Sequence, residues 1–331
     1  MTATSTPVRP AVPRAAVPGL ALALSAAFSF GTSGPAAKAV IDAGLTPLDT
    51  VWLRLAGAAV LLVPLALAIR GPALRTLVRR HRALLVGYGL LSIAGVQVCY
   101  FFAVSRLPVG IALLLEYLAP ALVIGWLVLV RRTRLPREAF AGALLAVCGI
   151  AVVVQVWSGL QLDLLGLLAG IGSAACQASF FVLSDRLAGE GDALALAAGG
   201  MAVGAVVLGL VAQPWQLPWS TLLGEASVAG TVLPVLVLVG WIVVVSTVLA
   251  YTTGIGAVRL LSAPVAGVIA TVEVVIAALV AWLVLGERLS PVQLLGGVIV
   301  LCGALLAQRA ASQPVPPPSP IPGPAVQEAH R

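Results

Sequence analysis

The chain predicts an all-α polytopic membrane protein, with ten transmembrane helices in two inverted five-helix repeats. Three observations lead there: a composition unlike that of a soluble domain, apolar segments of spanning length, and arginines confined to the gaps between them. Of the 331 residues, 60% are hydrophobic and 9% charged, whereas soluble domains carry roughly 25% charged residues. Helices are favoured over a barrel because the apolar runs are continuous and show no period-two alternation. A helix also satisfies its backbone within each segment.

About 20 apolar residues are needed for a helix to cross about 30 Å of hydrocarbon. Segments of about that length run near Gly19 to Ile41, Thr50 to Ile69, Ala83 to Val104, Val109 to Val130 and Phe140 to Trp157. A second set runs near Leu164 to Leu183, Ala193 to Val211, Leu233 to Thr253, Ala263 to Leu285 and Val292 to Leu306. Arg70, Arg75, Arg79, Arg80 and Arg82 fill one gap, and Arg131, Arg132, Arg134 and Arg137 another. The positive-inside rule makes these gaps cytoplasmic. Arg9, Arg14 and Arg309 then put both termini on that side, as an even number of spans requires. The net charge of +7 thus orients the chain in the inner membrane and calls for no nucleic acid.

Residues 1–18 and 309–331 are expected to be disordered cytoplasmic ends, the latter rich in proline, because neither segment can bury apolar surface. A cleaved signal peptide is the competing reading of the start, but the apolar run after Arg14 continues at full spanning length. Cys99, Cys148, Cys176 and Cys302 stand singly inside spans, a pattern that suits packing better than disulfides or zinc.

An internal repeat divides the remainder into residues 19–157 and 158–308. Cys148-Gly149 aligns with Cys302-Gly303, and at the same offset Gly142 aligns with Gly296, Arg134 with Arg288 and Pro120 with Val274. Five spans per half make the second copy enter from the opposite face. Inverted repeats of this kind recur in membrane carriers, with the binding site near the midplane between them.

Against that background the segment Gly110-Ile111-Ala112-Leu113-Leu114-Leu115-Glu116-Tyr117-Leu118-Ala119-Pro120 resembles a signature of the EamA family in the drug/metabolite transporter superfamily, in its threonine/homoserine exporter branch. Ala37-Lys38, Leu53-Arg54-Leu55, Leu183-Ser184-Asp185-Arg186 and the ending Gly286-Glu287-Arg288-Leu289 agree with it, over Gly19 to Leu306. Val274 departs from the family, which often has proline after the glutamate, so the ninth helix is expected to be less kinked than in relatives. The resemblance implies ten spans, a central cavity and transport of amino acids or other small metabolites by a secondary carrier.

Charge inside apolar sequence marks the candidate site. Glu273 and Glu116 lie in the middle of spans, where a carboxylate is costly and usually faces a pathway. Lys38 and Arg54 supply the opposite sign near the extracytoplasmic side, and Gln97, Ser246, Thr247 and Thr252 add neutral hydrogen-bonding groups. An amino-acid zwitterion needs a cation for its carboxylate and an acceptor for its ammonium, so a pocket with both signs suits it. The substrate/proton pathway is therefore assigned to Glu116, Glu273, Lys38, Arg54, Gln97, Ser246 and Thr252, with Pro120 as hinge. The stripe Ala266, Ala270 and Ala277 beside Glu273 fits a cavity wall.

Plainer roles compete: snorkelling of Lys38 and Arg54 to headgroups, an ion pair of Glu116 with either, and bonds from the hydroxyls to their own helix backbone. Tyr100, Tyr117, Tyr251 and Trp241 are read as packing or interfacial anchors. No cofactor and no metal is expected. Lys38 is followed by Ala39, which excludes a phosphate-binding loop, and leaves a gradient as the energy source. A channel or non-transporting scaffold is the alternative function, and a membrane-embedded enzyme a weaker one, since His81 and His330 lie outside the spans.

Overall fold

The computed structural model describes residues 16–133, 135–158, 162–187, 192–261 and 263–311. The terminal segments expected to be disordered lie largely outside these, as do Arg134 of one repeat pair and the side chain of Ala266. Ten helices long and apolar enough to span a membrane occur among the described residues. They are α1 (Val17–Asp42), α2 (Pro47–Arg80), α3 (Arg82–Val104), α4 (Val109–Leu129), α5 (Arg137–Val154), α6 (Leu164–Ser184), α7 (Ala193–Ala212), α8 (Val235–Leu260), α9 (Val268–Leu285) and α10 (Pro291–Ala310).

Local chemistry sets several boundaries. Thr46 and Asp49 form a reciprocal capping box with Pro47 in the first turn, so α2 starts there. Its apolar part ends at Arg70, whose φ of −134° breaks the helix, and beyond the break Leu74 and Leu77 are buried while Arg75, Arg79 and Arg80 are exposed. That is the pattern of a helix lying at the interface. Asp163 accepts from Gly166 N at 2.7 Å at the start of α6, and this bond holds its carboxyl below the usual range. Asp192 caps α7 through Leu194 N.

One element had no signal in the apolar pattern: a hairpin of β1 (Glu225–Val228) and β2 (Thr231–Pro234) precedes α8, taking in Leu233, where the eighth span was expected to begin. Ala229 and Gly230 both adopt positive φ, as a two-residue hairpin turn requires.

The core is aliphatic and aromatic, with Leu55, Phe101, Ile111, Leu115 and Ile242 among the side chains shut from solvent. Val60, Leu144, Val206, Leu210 and Leu295 project outward instead, as a lipid-facing surface does. Trp157, Trp215 and Trp219 are exposed beyond the ends of α5 and α7, where indoles favour the membrane interface.

The glycines that anchor the sequence repeat pack on one another. α5 and α10 run antiparallel so closely that a Cβ built at Gly142 would stand 2.8 Å from Gly303 O, and one at Gly149 would stand 2.6 Å from Val300 N. Seven residues separate the glycines in each helix, two turns, which keeps both on one face. Cys148 and Cys302 are exposed on the outside of this pair. All four cysteines are free thiols.

Candidate functional site

Two helices are interrupted in the middle of the membrane. In α4 the half Val109–Glu116 is followed by the turn Tyr117-Leu118 and a second half, Ala119–Leu129. α9 breaks at Thr271, between Ala263–Ala270 and Val272–Leu285. In the register that aligns Cys148 with Cys302, Tyr117 falls on Thr271, so the breaks are repeat mates although their sequences differ. The breaks also touch, because Tyr117 donates its hydroxyl to Ala270 O at 3.0 Å. α9 is thus interrupted three residues before Val274, the position where the family often has proline. Thr271 turns its hydroxyl back to Val268 O at 2.7 Å, an alternative to helical bonding that serine and threonine offer.

Each break presents a carboxylate. Glu116 ends the first half of α4 and accepts from Ser173 Oγ of α6 at 2.7 Å. Glu273 lies in the first turn of the second half of α9, where the helix dipole favours negative charge. Pro120 sits in the first turn of the second half of α4, where its missing N–H removes no bond the half-helix needs.

The neighbouring helices α3 and α8 carry matching defects. Both widen into π-helical turns, Tyr88–Gly95 and Val244–Leu249, which end at equivalent positions of the repeat. π-turns shift the bonding pattern and gather at functional sites. Here the carbonyl of Ser246 accepts from Arg54 Nη2 at 3.1 Å, and Thr247 Oγ1 reaches back to Ile242 O at 2.8 Å. Arg54 is only 2% exposed, donates from Nη1 to Ser33 Oγ and lies with its guanidinium 5.4 Å from the centre of the Phe101 ring. It does not snorkel to headgroups. Its Nε is buried without a hydrogen-bond partner.

These groups border one cavity of about 1040 Å³. Arg54, Gln97, Glu116 and Glu273 line its deep part with Tyr100, Tyr117 and Tyr251, and Arg131, Arg259 and Arg309 line its mouth. Among the described residues neither carboxylate forms an ion pair with Arg54 or Lys38. Pro120 and Ala270 are on the wall, but Ala277 is fully buried in packing.

The remaining candidates are placed elsewhere. Lys38 is outside the cavity, its Nζ 2.6 Å from Glu287 Oε1 and donating to Leu107 O at 3.1 Å. Ser246 is fully buried, its hydroxyl 3.2 Å from Thr32 Oγ1, so it acts on the cavity only through the carbonyl that holds Arg54. Thr252 bonds its own helix at Val248 O, 2.8 Å away, and does not line the cavity. Trp241 donates to Thr32 Oγ1 at 3.0 Å.

Sequence reading took the three tyrosines for packing or interfacial anchors, and it named neither Gln177 of the cavity wall nor Ser173, the buried partner of Glu116. Their signals were present: Tyr117 and Tyr251 lie well inside their spans and not at the ends, and residues 173 and 177 are one turn apart on one helix face.

The EamA-like transporter family model matches this chain twice, over residues 17–155 and 164–308. The Threonine/homoserine exporter RhtA of Escherichia coli (strain K12) is 28% identical over 239 residues, 71% of this chain and 75% of the relative. The Uncharacterized inner membrane transporter YicL of Salmonella typhimurium (strain LT2) is 23% identical over 292 residues, 87% of this chain and 94% of the relative. One solved crystal structure superposes with a TM-score of 0.55 at 21% identity, covering 90% of this chain and 98% of its own, and so shares the fold. With both of its halves matched, the chain belongs to the EamA-like transporter family, as a polytopic membrane protein of ten spans in two inverted five-helix repeats.

Proposed function

We propose that the chain is a secondary active transporter of the inner membrane that exports amino acids or related small metabolites by alternating access. The observation that carries this reading is the meeting of Arg54, Glu116 and Glu273 around one cavity, between two helices broken at equivalent points of the repeat. Broken helices at a repeat interface free backbone groups and charged side chains for a solute at mid-membrane depth.

In this reading Arg54 pairs with the substrate carboxylate, offering the guanidinium face that its bonds to Ser33 and Ser246 leave free. Glu116 or Glu273 accepts the ammonium, with Gln97 and the tyrosine hydroxyls completing the shell. The name threonine/homoserine exporter on relatives supports the amino-acid class. Both termini are cytoplasmic, so the mouth lined by Arg131, Arg259 and Arg309 opens inward, where an exporter loads. One of the two carboxylates exchanges a proton during the cycle, which couples export to the proton gradient.

The test is uptake and counterflow of radiolabelled amino acids in proteoliposomes at several external pH values. A carrier is stimulated by unlabelled substrate on the far side, and wild-type flux depends on pH. Absence of counterflow would convert the reading to a channel, and equal pH dependence in wild type and Glu273→Gln would remove the carboxylate from coupling.

A further inference from the structure

We propose that Lys38 and Glu287 form the gate that seals the end of the bundle opposite the arginine-lined mouth, a proposal that rests on the alternating-access reading above. Glu287 lies just beyond the last turn of α9, and its two carboxylate oxygens hold different elements. Oε1 pairs with Lys38 of α1 at 2.6 Å, and Oε2 accepts from Val109 N, at the start of α4, at 2.8 Å. Lys38 also donates to Leu107 O in the turn before α4. One ion pair therefore ties α1, the α3–α4 turn, α4 and α9 together.

Of the two cavities, one touches this latch and the other stops short of it along α1 and α4. The large one ends beneath it, at Ser33 and Leu113, and lacks Lys38 and Glu287 in its lining. A second cavity of about 640 Å³ lies above it, lined by Lys38, Asp42, Glu287 and the hairpin turn Ala229-Gly230. The side chains of Lys38 and Glu287 are 20% and 14% exposed, and both line the second cavity. The hairpin reinforces it, since Ala229 N donates to Val284 O, one of the last-turn carbonyls of α9 that have no partner within the helix.

The latch is also mechanically joined to the site. Val109–Glu116 has eight residues and spans about 12 Å as a rigid rod, held by Glu287 at one end and carrying Glu116 at the other. Its N-terminal dipole favours the Glu287 charge. Opening the gate removes both holds on that end and lets the rod move Glu116 relative to Ser173. Where a pair is largely buried, loss of one partner leaves the other charge poorly compensated, so the closed state depends on both. Glu287 and Lys38 are positioning residues for transport, without contact to the solute.

The experiment uses the full chain with Cys99, Cys148, Cys176 and Cys302 changed to alanine and Leu113→Cys as reporter, in right-side-out and inside-out vesicles, with a membrane-impermeant maleimide. The parent is expected to label chiefly from the mouth side. Lys38→Met and Glu287→Gln are expected to raise labelling from the latch side about fivefold or more. Glu287→Gln keeps an acceptor for Val109 N and removes only the charge, while Lys38→Arg keeps the pair and is expected to label like the parent. Labelling from the mouth side certifies that each variant is folded, and if one does not insert, the contrast of Lys38→Met with Lys38→Arg decides alone. Unchanged latch-side labelling in the singly charged variants, or equal labelling in Lys38→Met and Lys38→Arg, overturns the gate and leaves a static ion pair. No substrate is needed, so failure of the amino-acid reading would appear in the flux assay and not here.

Discussion

The pair α5/α10 and the pair α4/α9 obey the same repeat and end in opposite states. In α5 and α10 the mates Gly142, Gly149, Gly296 and Gly303 let two unbroken helices touch along their backbones. In α4 and α9 the mates Tyr117 and Thr271 sit where both helices stop and restart, with a carboxylate beside each break. Close backbone contact gives the first pair many weak contacts and no polar group to satisfy. The second pair gives up helical bonds and exposes charge to a cavity. In the proposed alternating-access cycle the first pair serves as scaffold and the second as moving part, since one seam must stay shut while another rearranges.

The largest expected effect breaks the scaffold. Gly303→Leu places a side chain where Gly142 and Ala146 already stand, and costs about 3 kcal/mol or more. Loss of the monodisperse peak on size exclusion in detergent, with a lowered unfolding temperature, checks it. Next comes Glu273→Gln, at the other seam, where flux is expected to fall about tenfold or more at unchanged folded yield, because the charge faces the cavity and forms no ion pair among the described residues. Comparable loss of folded protein in both variants would erase the distinction between the pairs.

Pro120→Ala sharpens the comparison further. It allows the two halves of α4 to join, so transport rate is expected to fall about fivefold while the unfolding temperature stays level or rises. Thr252→Ala closes the series. Its hydroxyl bonds its own helix, and its loss is expected to cost about 0.6 kcal/mol or less and to leave the Michaelis constant and rate intact.

Much of this was legible beforehand, and for physical reasons. An apolar run of spanning length has few alternatives in lipid, so ten spans followed, and Thr50 to Ile69 ended at the Arg70 kink. A carboxylate in mid-span is expected to face a polar space, and Glu116 and Glu273 both line the cavity. Partners were not legible. Lys38 and Arg54 carry the same charge and lie near the same end of neighbouring spans, yet one is bound to Glu287 and the other looks into the cavity. Thr252 and Ser246 were indistinguishable as hydroxyls, and only the π-turn decided that the Ser246 carbonyl would hold Arg54.

The hairpin before α8 escaped because it is short and abuts an apolar run, and the continuous pattern hides the point where strand gives way to helix. In α4 the hinge expected at Pro120 lies beside the break, whereas the break of α9 had no such marker, since a helix interrupted by one or two residues stays as apolar as an intact one.

What the residues alone determined is which parts lie in lipid, how many times the chain crosses, and where charge is too costly to be idle, since transfer from water depends on composition and length. Tertiary structure decided which charge meets which, where helices give up a bond and which side chains line the cavity. These depend on contacts between spans far apart in the chain, and no local pattern records them.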